Sequence, residues 1–376
     1  MECYFDNSAT TKVCNLAVKE MYPLLAENYG NPASLHKKGD EAKAALDLAR
    51  ANVARALSCN SDEVYFTSGG TESNNIAVFG AAEALKRRGN RIITTAIEHP
   101  SVSEPMERLE KQGFEVVRIP VGTDGKIKES DLFREVNRNT ILISIMLVNN
   151  EIGSIQPVRT ARTAVKRAGS SALIHCDAVQ AFGKLFVIPA ELGVDMMSVS
   201  SHKVHGPKGA GALYIRKGVR IVSPVCGGGQ EESIRSGTSP MPAIVGLGAA
   251  VTEFKRFDST IAKMSIMRDN FVKEISQIPS IYINSPPDAL PYIINFSVEG
   301  IPSEVMRNEL SSRGIYVSSG SACSKGHRSK VLTSMRLPNS RIDSAIRVSL
   351  SRYTTEEELK FLAENIFDAR NKIRHK

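Results

Sequence analysis

The sequence of 376 residues lacks the features that mark several special classes of protein. It has no internal repeat and no low-complexity tract. Its longest apolar stretch, residues 141–148, falls far short of the ~20 residues that a membrane-spanning helix needs. The N-terminus has no basic segment followed by an apolar one, which is the pattern of a secretory leader. We therefore expect a soluble, cytoplasmic, globular protein that does not partner a membrane.

Cysteine is scarce and scattered along the chain. No two cysteines form a C-x-x-C pair, and their spacing does not match that of small disulfide-rich scaffolds. This pattern favours reduced thiols over a disulfide framework or a zinc site, and we predict no metal centre. The six cysteines are Cys3, Cys14, Cys59, Cys176, Cys226 and Cys323.

The formal net charge is +8, but the basic residues are spread along the chain rather than grouped in one segment. A dispersed basic excess is typical of a solvated protein surface, whereas nucleic-acid-binding proteins concentrate their charge on one face. We therefore predict no direct binding to nucleic acid. A partner protein with an acidic face is the better hypothesis.

What the sequence does contain is a regular alternation of helical and strand patterns. In residues 40–57 the apolar positions recur at helical spacing, a short strand follows at 64–66, and a second helical stretch runs to about residue 88. Such alternation predicts an α/β fold with a mostly parallel central sheet covered by helices. Further strands are expected near residues 91–97, 115–119, 141–148, 172–176, 196–200 and 211–215, with a helix at 158–168.

After residue 253 the pattern changes and predicts a smaller α+β domain. We expect helices at residues 261–275, at 303–313 and from 355 onward, with short strands around 292–298. The predicted large domain spans residues 15–255, and the small domain combines residues 1–14 with 256–376. Ligand-binding residues should then lie at the ends of the sheet strands, where open α/β sheets bind their ligands.

One lysine has an unusual setting. Lys203 stands in the segment SSHKVHGPKG, residues 200–209, directly after a predicted apolar strand. Hydroxyl and imidazole side chains flank it, and a rigid Gly-Pro turn follows. A lysine held in this way can act as an amine nucleophile toward an aldehyde.

Two further segments supply groups that an aldehyde cofactor would need. Gly69-Gly70-Thr71 joins a strand to a helix, so its backbone N–H groups could bind a phosphate, although glycines also occur in such turns for conformational reasons. Asp177 follows the strand at 172–176 and could keep a pyridine nitrogen protonated, and Gln180 is near enough to approach the ring oxygen. Taken alone, Asp177 could equally be a loop or N-cap aspartate.

These residues belong to a series of motifs that resembles the NifS/IscS-type cysteine desulfurases. That family is part of the class V aminotransferase group and has the fold type I architecture of pyridoxal-phosphate (PLP) enzymes. The resemblance covers nearly the whole chain in order. Its motifs are residues 4–11 (YFDNSATT), 30–36 (GNPASLH), 66–74 (FTSGGTESN), 98–99 (EH), 149–153 (NNEIG), 177–180 (DAVQ), 200–209, 227–231 (GGGQE), 235–238 (RSGT), 321–324 (SACS) and 345–349 (AIRVS).

The resemblance implies pyridoxal 5'-phosphate as the cofactor. Lys203 should bind it covalently, His99 should stack on its ring, and Asp177 and Gln180 should hold the ring nitrogen and the phenolic oxygen. A second subunit should contribute one phosphate ligand, which implies a homodimer. The phosphate ligands implied by the resemblance are Gly70, Thr71, Ser200, His202 and, from the second subunit, Thr238.

The resemblance also implies L-cysteine as the substrate. Arg347, with Asn31 nearby, should hold its carboxylate, a role that suits a guanidinium fork. Asn150 should lie near the ring oxygen and the substrate, and His99 should carry protons. Cys323 should take up the sulfur as a persulfide and deliver it to an acceptor protein, such as an iron–sulfur scaffold or a tRNA-thiolation enzyme.

The segment around Cys323 suits that role. Residues 317–328 are mostly small and polar, which is typical of a surface loop rather than of a core element. The thiolate is the nucleophile, and basic neighbours could lower the pKa of the thiol. Those neighbours are Lys325, His327 and Arg328.

Two other functions stay open at the level of the sequence. A different PLP enzyme, either an aminotransferase or a selenocysteine lyase, would use the same Lys203 and Asp177 but would not need Cys323. A catalytically silent scaffold would keep the fold and only bind sulfur-transfer partners.

Overall fold

The computed structural model describes residues 1–254, 257–319 and 328–374 of the chain. Within these residues the main sheet has seven strands in the order β2-β8-β7-β6-β5-β3-β4. The strands in chain order are β1 (Cys3–Tyr4), β2 (Val64–Thr67), β3 (Arg91–Thr95), β4 (Glu115–Ile119), β5 (Thr140–Met146), β6 (Leu173–Asp177), β7 (Met196–Ser200), β8 (Gly211–Ile215), β9 (Ile281–Ile283), β10 (Ile293–Val298), β11 (Ile315–Tyr316), β12 (Ser318–Ser319) and β13 (Ala345–Ser349).

The main sheet is mostly parallel, as the alternating pattern predicts. Strands β7, β6, β5, β3 and β4 run parallel to one another, while β8 runs antiparallel to both β7 and β2. Every residue of β5, β7 and β8 is buried. Helices cover both faces of a parallel sheet, so its central strands are continuous apolar runs rather than alternating ones.

The helices that the apolar periodicity predicts are present within a few residues at each end. The α-helices are α1 (Asn15–Met21), α2 (Pro23–Ala26), α3 (Lys37–Leu57), α4 (Gly70–Leu85), α5 (Pro100–Lys111), α6 (Glu129–Glu135), α7 (Arg159–Ala168), α8 (Pro189–Leu192), α9 (Met241–Val251), α10 (Phe257–Ile275), α11 (Ser303–Ser312), α12 (Lys330–Ser334), α13 (Asn339–Asp343) and α14 (Glu356–Arg374). The predicted helices correspond to α3, α4, α7, α10, α11 and α14 of this series. Short 3₁₀ helices occur at Ser61–Glu63, Ser201–Lys203 and Gln230–Ser233.

The C-terminal part forms the smaller α+β unit. Its described residues contain an antiparallel sheet in the order β12-β13-β10-β9. The same part of the chain contains the helices α10, α11 and α14. The N-terminus joins this unit, because β1 pairs in parallel with β11 and Asp6 bridges to Ser349. The domain boundaries at residues 15 and 255 remain predictions.

In the described part of the chain, no helix is both long enough and apolar enough to cross a membrane.

Candidate functional site

The site is built around Lys203, which follows the buried strand β7 in a single 3₁₀ turn. Its Nζ donates hydrogen bonds to the carbonyl oxygens of Ser8 at 2.5 Å and Ala9 at 2.7 Å. The same N-terminal segment is held against the turn by Thr11, whose backbone N–H donates to His202 O at 2.9 Å. Two segments almost 200 residues apart in sequence therefore meet at the lysine amine.

A series of buried polar groups links the end of β6 to His99. Asn74 on α4 donates through Nδ2 to Asp177 Oδ2 at 2.8 Å and to Ser101 Oγ at 2.8 Å. Ser101 Oγ lies 2.8 Å from His99 Nδ1. Asp177 also accepts the backbone N–H of Val179 at 3.0 Å, so both of its carboxylate oxygens have partners. These contacts fix the carboxylate and the imidazole in one network.

The network also decides which nitrogen of His99 carries the proton. The backbone N–H of Ser101 donates to Nδ1 at 3.1 Å, so Nδ1 is an acceptor and the proton of the neutral ring lies on Nε2. Desolvation by the surrounding protein lowers the pKa of His99, while the charge of Asp177 raises it and that of Lys203 lowers it. The lowered pKa favours the neutral ring, which can either donate or accept a proton.

The junction between β2 and α4 packs closely against the residues at the ends of β6 and β7. Gly69 has φ +152°, a conformation that only glycine adopts readily. A Cβ atom on Gly70 would lie 2.6 Å from Val179 Cγ2, so a larger residue would clash there. Thr71 is exposed beside this turn, and Ser200 is buried at the end of β7. The predicted phosphate ligands Gly70 and Ser200 are thus brought together.

His202 completes this end of the site. Its Nδ1 lies 3.2 Å from Thr10 Oγ1. Burial, with the positive charge of Lys203 next in importance, lowers the pKa of His202 to about 4. The ring is therefore neutral near pH 7 and can act as a hydrogen-bond donor to an anion without charging.

Arg347 on β13 faces the site from the smaller unit. Its Nη2 donates to Asp6 Oδ1 at 2.7 Å, and its Nη1 donates to the carbonyl oxygen of Asn150 at 3.0 Å. The side chain is buried, and its Nε has no hydrogen-bond partner among the described residues. Arg347 and Asn150, each predicted separately as a substrate-binding residue, are in contact. Asn31 instead lies in an exposed loop, where its Oδ1 accepts the N–H of Ala33.

Gln180 lies beside the lysine, whereas Thr238 lies in a loop and Cys323 is outside the described residues. Gln180 Nε2 donates to Ser8 O, the carbonyl oxygen that Lys203 also contacts, at 3.0 Å. Thr238 is exposed in the loop that follows the 3₁₀ helix at Gln230–Ser233. Cys323, with its basic neighbours Lys325 and His327, lies outside the described residues.

The residues on either side of the Cys323 segment are connected to the Arg347 region. Before the segment, Ser318 on β12 pairs with Arg347 on β13. After it, Ser329 donates through Oγ to Glu151 Oε2 at 2.5 Å, directly beside Asn150. Both flanks of the segment are thus anchored near the predicted substrate carboxylate site.

Comparison with known proteins identifies the family of this chain. The family model described as aminotransferase class-V matches residues 3–362. A cysteine desulfurase IscS of Dictyoglomus turgidum is 42% identical over 365 residues, which cover 96% of this chain and 92% of the relative. The chain belongs to the NifS/IscS-type cysteine desulfurases of the class-V aminotransferase family.

Solved structures of this family have the same fold. A NifS-like protein superposes with a TM-score of 0.93 at 39% identity, covering 98% of this chain and 99% of the other. A structure described as SspA in complex with cysteine gives a TM-score of 0.83 at 34% identity, covering 94% and 100% of the two chains. The predicted fold type I architecture is therefore confirmed.

Three polar residues of this cysteine desulfurase fold were not predicted as site residues. They are Asn74, Ser101 and Asp6, which hold Asp177, His99 and Arg347 respectively. Asn74 and Asp6 lie inside motifs that the sequence shows, residues 66–74 and 4–11. Nothing in those motifs says which distant side chain each residue contacts, so only the folded chain reveals their partners.

Proposed function

We propose that this member of the cysteine desulfurase family converts L-cysteine to L-alanine, using PLP bound by Lys203, and transfers the sulfur to Cys323. The observation that carries the proposal is the network from Asp177 through Asn74 and Ser101 to His99, which lies at the same strand ends as the Lys203 amine. A pyridine ring needs a carboxylate at its nitrogen and a group against its face, and this arrangement supplies both beside an amine.

The residues around Lys203 fit the cofactor. Two buried polar atoms there lack a hydrogen-bond partner among the described residues, Ser8 Oγ and Asn74 Oδ1. The backbone at Gly70 opens the N-terminus of a 16-residue helix, whose dipole and free N–H groups favour a phosphate. Asp177 would hold the ring nitrogen, Gln180 the phenolic oxygen and His99 the ring face. Gly70, Thr71, Ser200 and His202 would hold the phosphate.

When it is bound, PLP supplies an electron-withdrawing ring that stabilises negative charge at the substrate Cα. The protein then positions the substrate and moves protons. Arg347 binds the cysteine carboxylate, with the side chain of Asn150 adjacent. The Lys203 amine takes the Cα proton. His99 can first accept a proton and then, as the imidazolium, donate one to the carbon that becomes the alanine methyl.

Sulfur transfer requires a thiolate from the protein. Cys323 Sγ attacks the substrate sulfur, so that an S–S bond forms while the C–S bond breaks. The electron pair of the broken bond remains with the substrate carbon, which takes up a proton. The products are alanine and a persulfide on Cys323, which an acceptor protein then receives.

We also propose a homodimer, cytoplasmic location and a protein sulfur acceptor with an acidic face. Large apolar side chains are exposed on the N-terminal helices and on the loop after them, at Val18, Tyr22, Leu25, Tyr29 and Leu35. A second subunit would cover such a patch and would bring its Thr238 to this site.

The net charge of +8 favours an acidic sulfur acceptor. Weaker association between this protein and the acceptor at high salt would test this proposal.

Substitution of the two reactive residues tests the proposal. Cys323→Ala should keep the visible absorbance of bound PLP but form no alanine from L-cysteine, whereas Cys226→Ala, which removes an exposed cysteine, should leave both unchanged. Lys203→Ala should lose the absorbance that Lys208→Ala retains. Normal alanine formation by Cys323→Ala, or a keto acid as the product, would favour an aminotransferase or lyase instead. Absence of any turnover in the unmodified enzyme would favour the silent scaffold.

A further inference from the structure

Lys184 is a buried lysine that the proposed chemistry does not use. Its side chain lies in the turn after β6, and only 7% of the residue is exposed. Burial, followed by the charges of Lys203 and Arg347, lowers the pKa of Lys184 to about 7. Lys184 in turn contributes to the lowered pKa values of His202 and His205. Burying an amine among other cations is unfavourable, so a compensating function is expected at this position.

The hydrogen bonds of Lys184 lead directly to the cofactor residues. Its Nζ donates to Gln180 Oε1 at 3.3 Å. The other end of that amide, Nε2, donates to Ser8 O at 3.0 Å, and Ser8 O also accepts the Lys203 amine at 2.5 Å. Lys184, Gln180, Ser8 and Lys203 thus form one continuous hydrogen-bonded series.

The two neighbours of the Gln180 amide require the same orientation. The charged form of Lys184 has only donors and so faces the amide oxygen, while the carbonyl oxygen of Ser8 only accepts and so faces the amide nitrogen. If the amide were reversed, two donors would oppose each other at Lys184 and two acceptors at Ser8. Each such unpaired buried group is unfavourable. Lys184 therefore directs the N–H groups of Gln180 toward the Lys203 side.

We propose that Lys184 is a positioning residue of this site, which holds the carboxamide of Gln180 with its nitrogen toward Lys203 and toward the phenolic oxygen of the cofactor. This inference rests on the proposed function, because it assumes that PLP binds at Lys203. It goes beyond that function by giving Gln180 its orientation from a lysine that does not touch the cofactor.

The test is Lys184→Met in the PLP-bound enzyme without L-cysteine. Methionine keeps the length of the side chain and removes both the donor and the buried charge. We expect the pH midpoint of the visible cofactor absorbance to shift by about one unit and the affinity for PLP to fall two- to about tenfold, the scale of one lost hydrogen bond. Lys166→Met, at an exposed position of α7, serves as the control and should change neither.

Gln180 variants show whether Lys184 acts through the amide. Gln180→Ala should shift the midpoint in the same direction as Lys184→Met, and the double variant should show no further shift, because both changes remove the same interaction. Independent, additive shifts would overturn the proposal. So would an unchanged midpoint in Lys184→Met.

A purely structural role predicts a different set of results. Replacing a buried charge with an apolar side chain is often neutral or stabilising, so we expect Lys184→Met to fold. Lys184→Gln, which keeps an N–H donor, should recover part of the normal midpoint. Failure of both variants to fold would assign Lys184 to stability and overturn the proposal. If the unmodified protein bound no PLP, the proposed function itself would fail first, which separates the two outcomes.

Discussion

Arg347 and Asp6 form an ion pair that joins β13 to the N-terminal segment, with Nη2 lying 2.7 Å from Oδ1. The guanidinium is buried, while the carboxylate is partly exposed. Arg347 Nη1 is held by the carbonyl oxygen of Asn150 at 3.0 Å. The guanidinium therefore has a fixed plane before any substrate arrives, and a two-oxygen anion can be recognised without reorganising it.

We expect Arg347→Lys to raise KM for L-cysteine about 10- to 100-fold, because an ammonium cannot reproduce the two-pronged contact of a guanidinium. Cofactor absorbance should be unchanged. Steady-state kinetics with L-cysteine would measure the change, and Arg336→Lys, at an exposed position, is the matched control. An equal KM in the two variants would contradict the assignment of Arg347 to the substrate carboxylate.

Asn74 should prove as important for cofactor binding as the carboxylate that it contacts. Asn74→Asp keeps the side-chain shape but removes the N–H donor 2.8 Å from Asp177 and adds a second carboxylate there. Repulsion between the two carboxylates should move Asp177 out of the position in which Asn74 holds it, and so weaken its contact with a protonated ring nitrogen. We expect PLP affinity to fall about 10- to 100-fold in an absorbance titration. Asn75→Asp, one residue further along α4, should bind PLP nearly normally.

Glu98 should make the protein less stable as the pH rises. Burial raises the pKa of Glu98 to about 8, although Met146 N–H and Thr95 Oγ stabilise the charged form. The native state thus keeps a proton that the unfolded chain releases near pH 4.5, and stability decreases between these two values. In this pH range Glu98 lowers the free energy of unfolding by up to about 1.4 kcal/mol per pH unit, and Glu98→Gln should remove this decrease.

Urea denaturation at a series of pH values would measure this slope. The exposed Glu129→Gln is the control and should follow the unmodified protein. Burial also lowers the pKa of His175 to about 3, which makes stability rise with pH in the acidic range, but this contribution is common to all three proteins. Parallel curves for Glu98→Gln and the control would contradict the prediction.

Leu25→Asp should increase the monomer fraction of the protein. Leu25 is 65% exposed within the apolar patch on the N-terminal helices, and a buried aspartate would oppose subunit association. Leu48, which is 63% exposed on α3, gives a control with nearly the same exposure. Light scattering after size-exclusion chromatography would compare Leu25→Asp with Leu48→Asp. A dimer of undiminished stability in Leu25→Asp would place the interface elsewhere.

Much of the fold could be predicted because helices and strands are encoded locally. Apolar spacing predicts α3 and α7, and short apolar runs predict β3 to β8, since backbone hydrogen bonding in each element depends on its own residues and on which face is buried. The strand β1 and its pairing with β11 were not predicted. A two-residue strand has no periodicity, and its partner lies about 300 residues away in sequence.

The sequence by itself determined the family and the α/β class, because these depend on ordered motifs and on locally encoded elements. It also pointed to Lys203 as the proposed reactive lysine, through its position after an apolar strand. Tertiary structure alone decided which polar groups hold one another: Asp6 with Arg347, Asn74 with Asp177, and Lys184 with Gln180. The first two pairs join residues more than 100 positions apart, and their distances depend on how whole elements pack. The third pair is only four residues apart, and its significance comes from burial. An exposed lysine would bind water, whereas the buried Lys184 donates to the Gln180 amide and orients it.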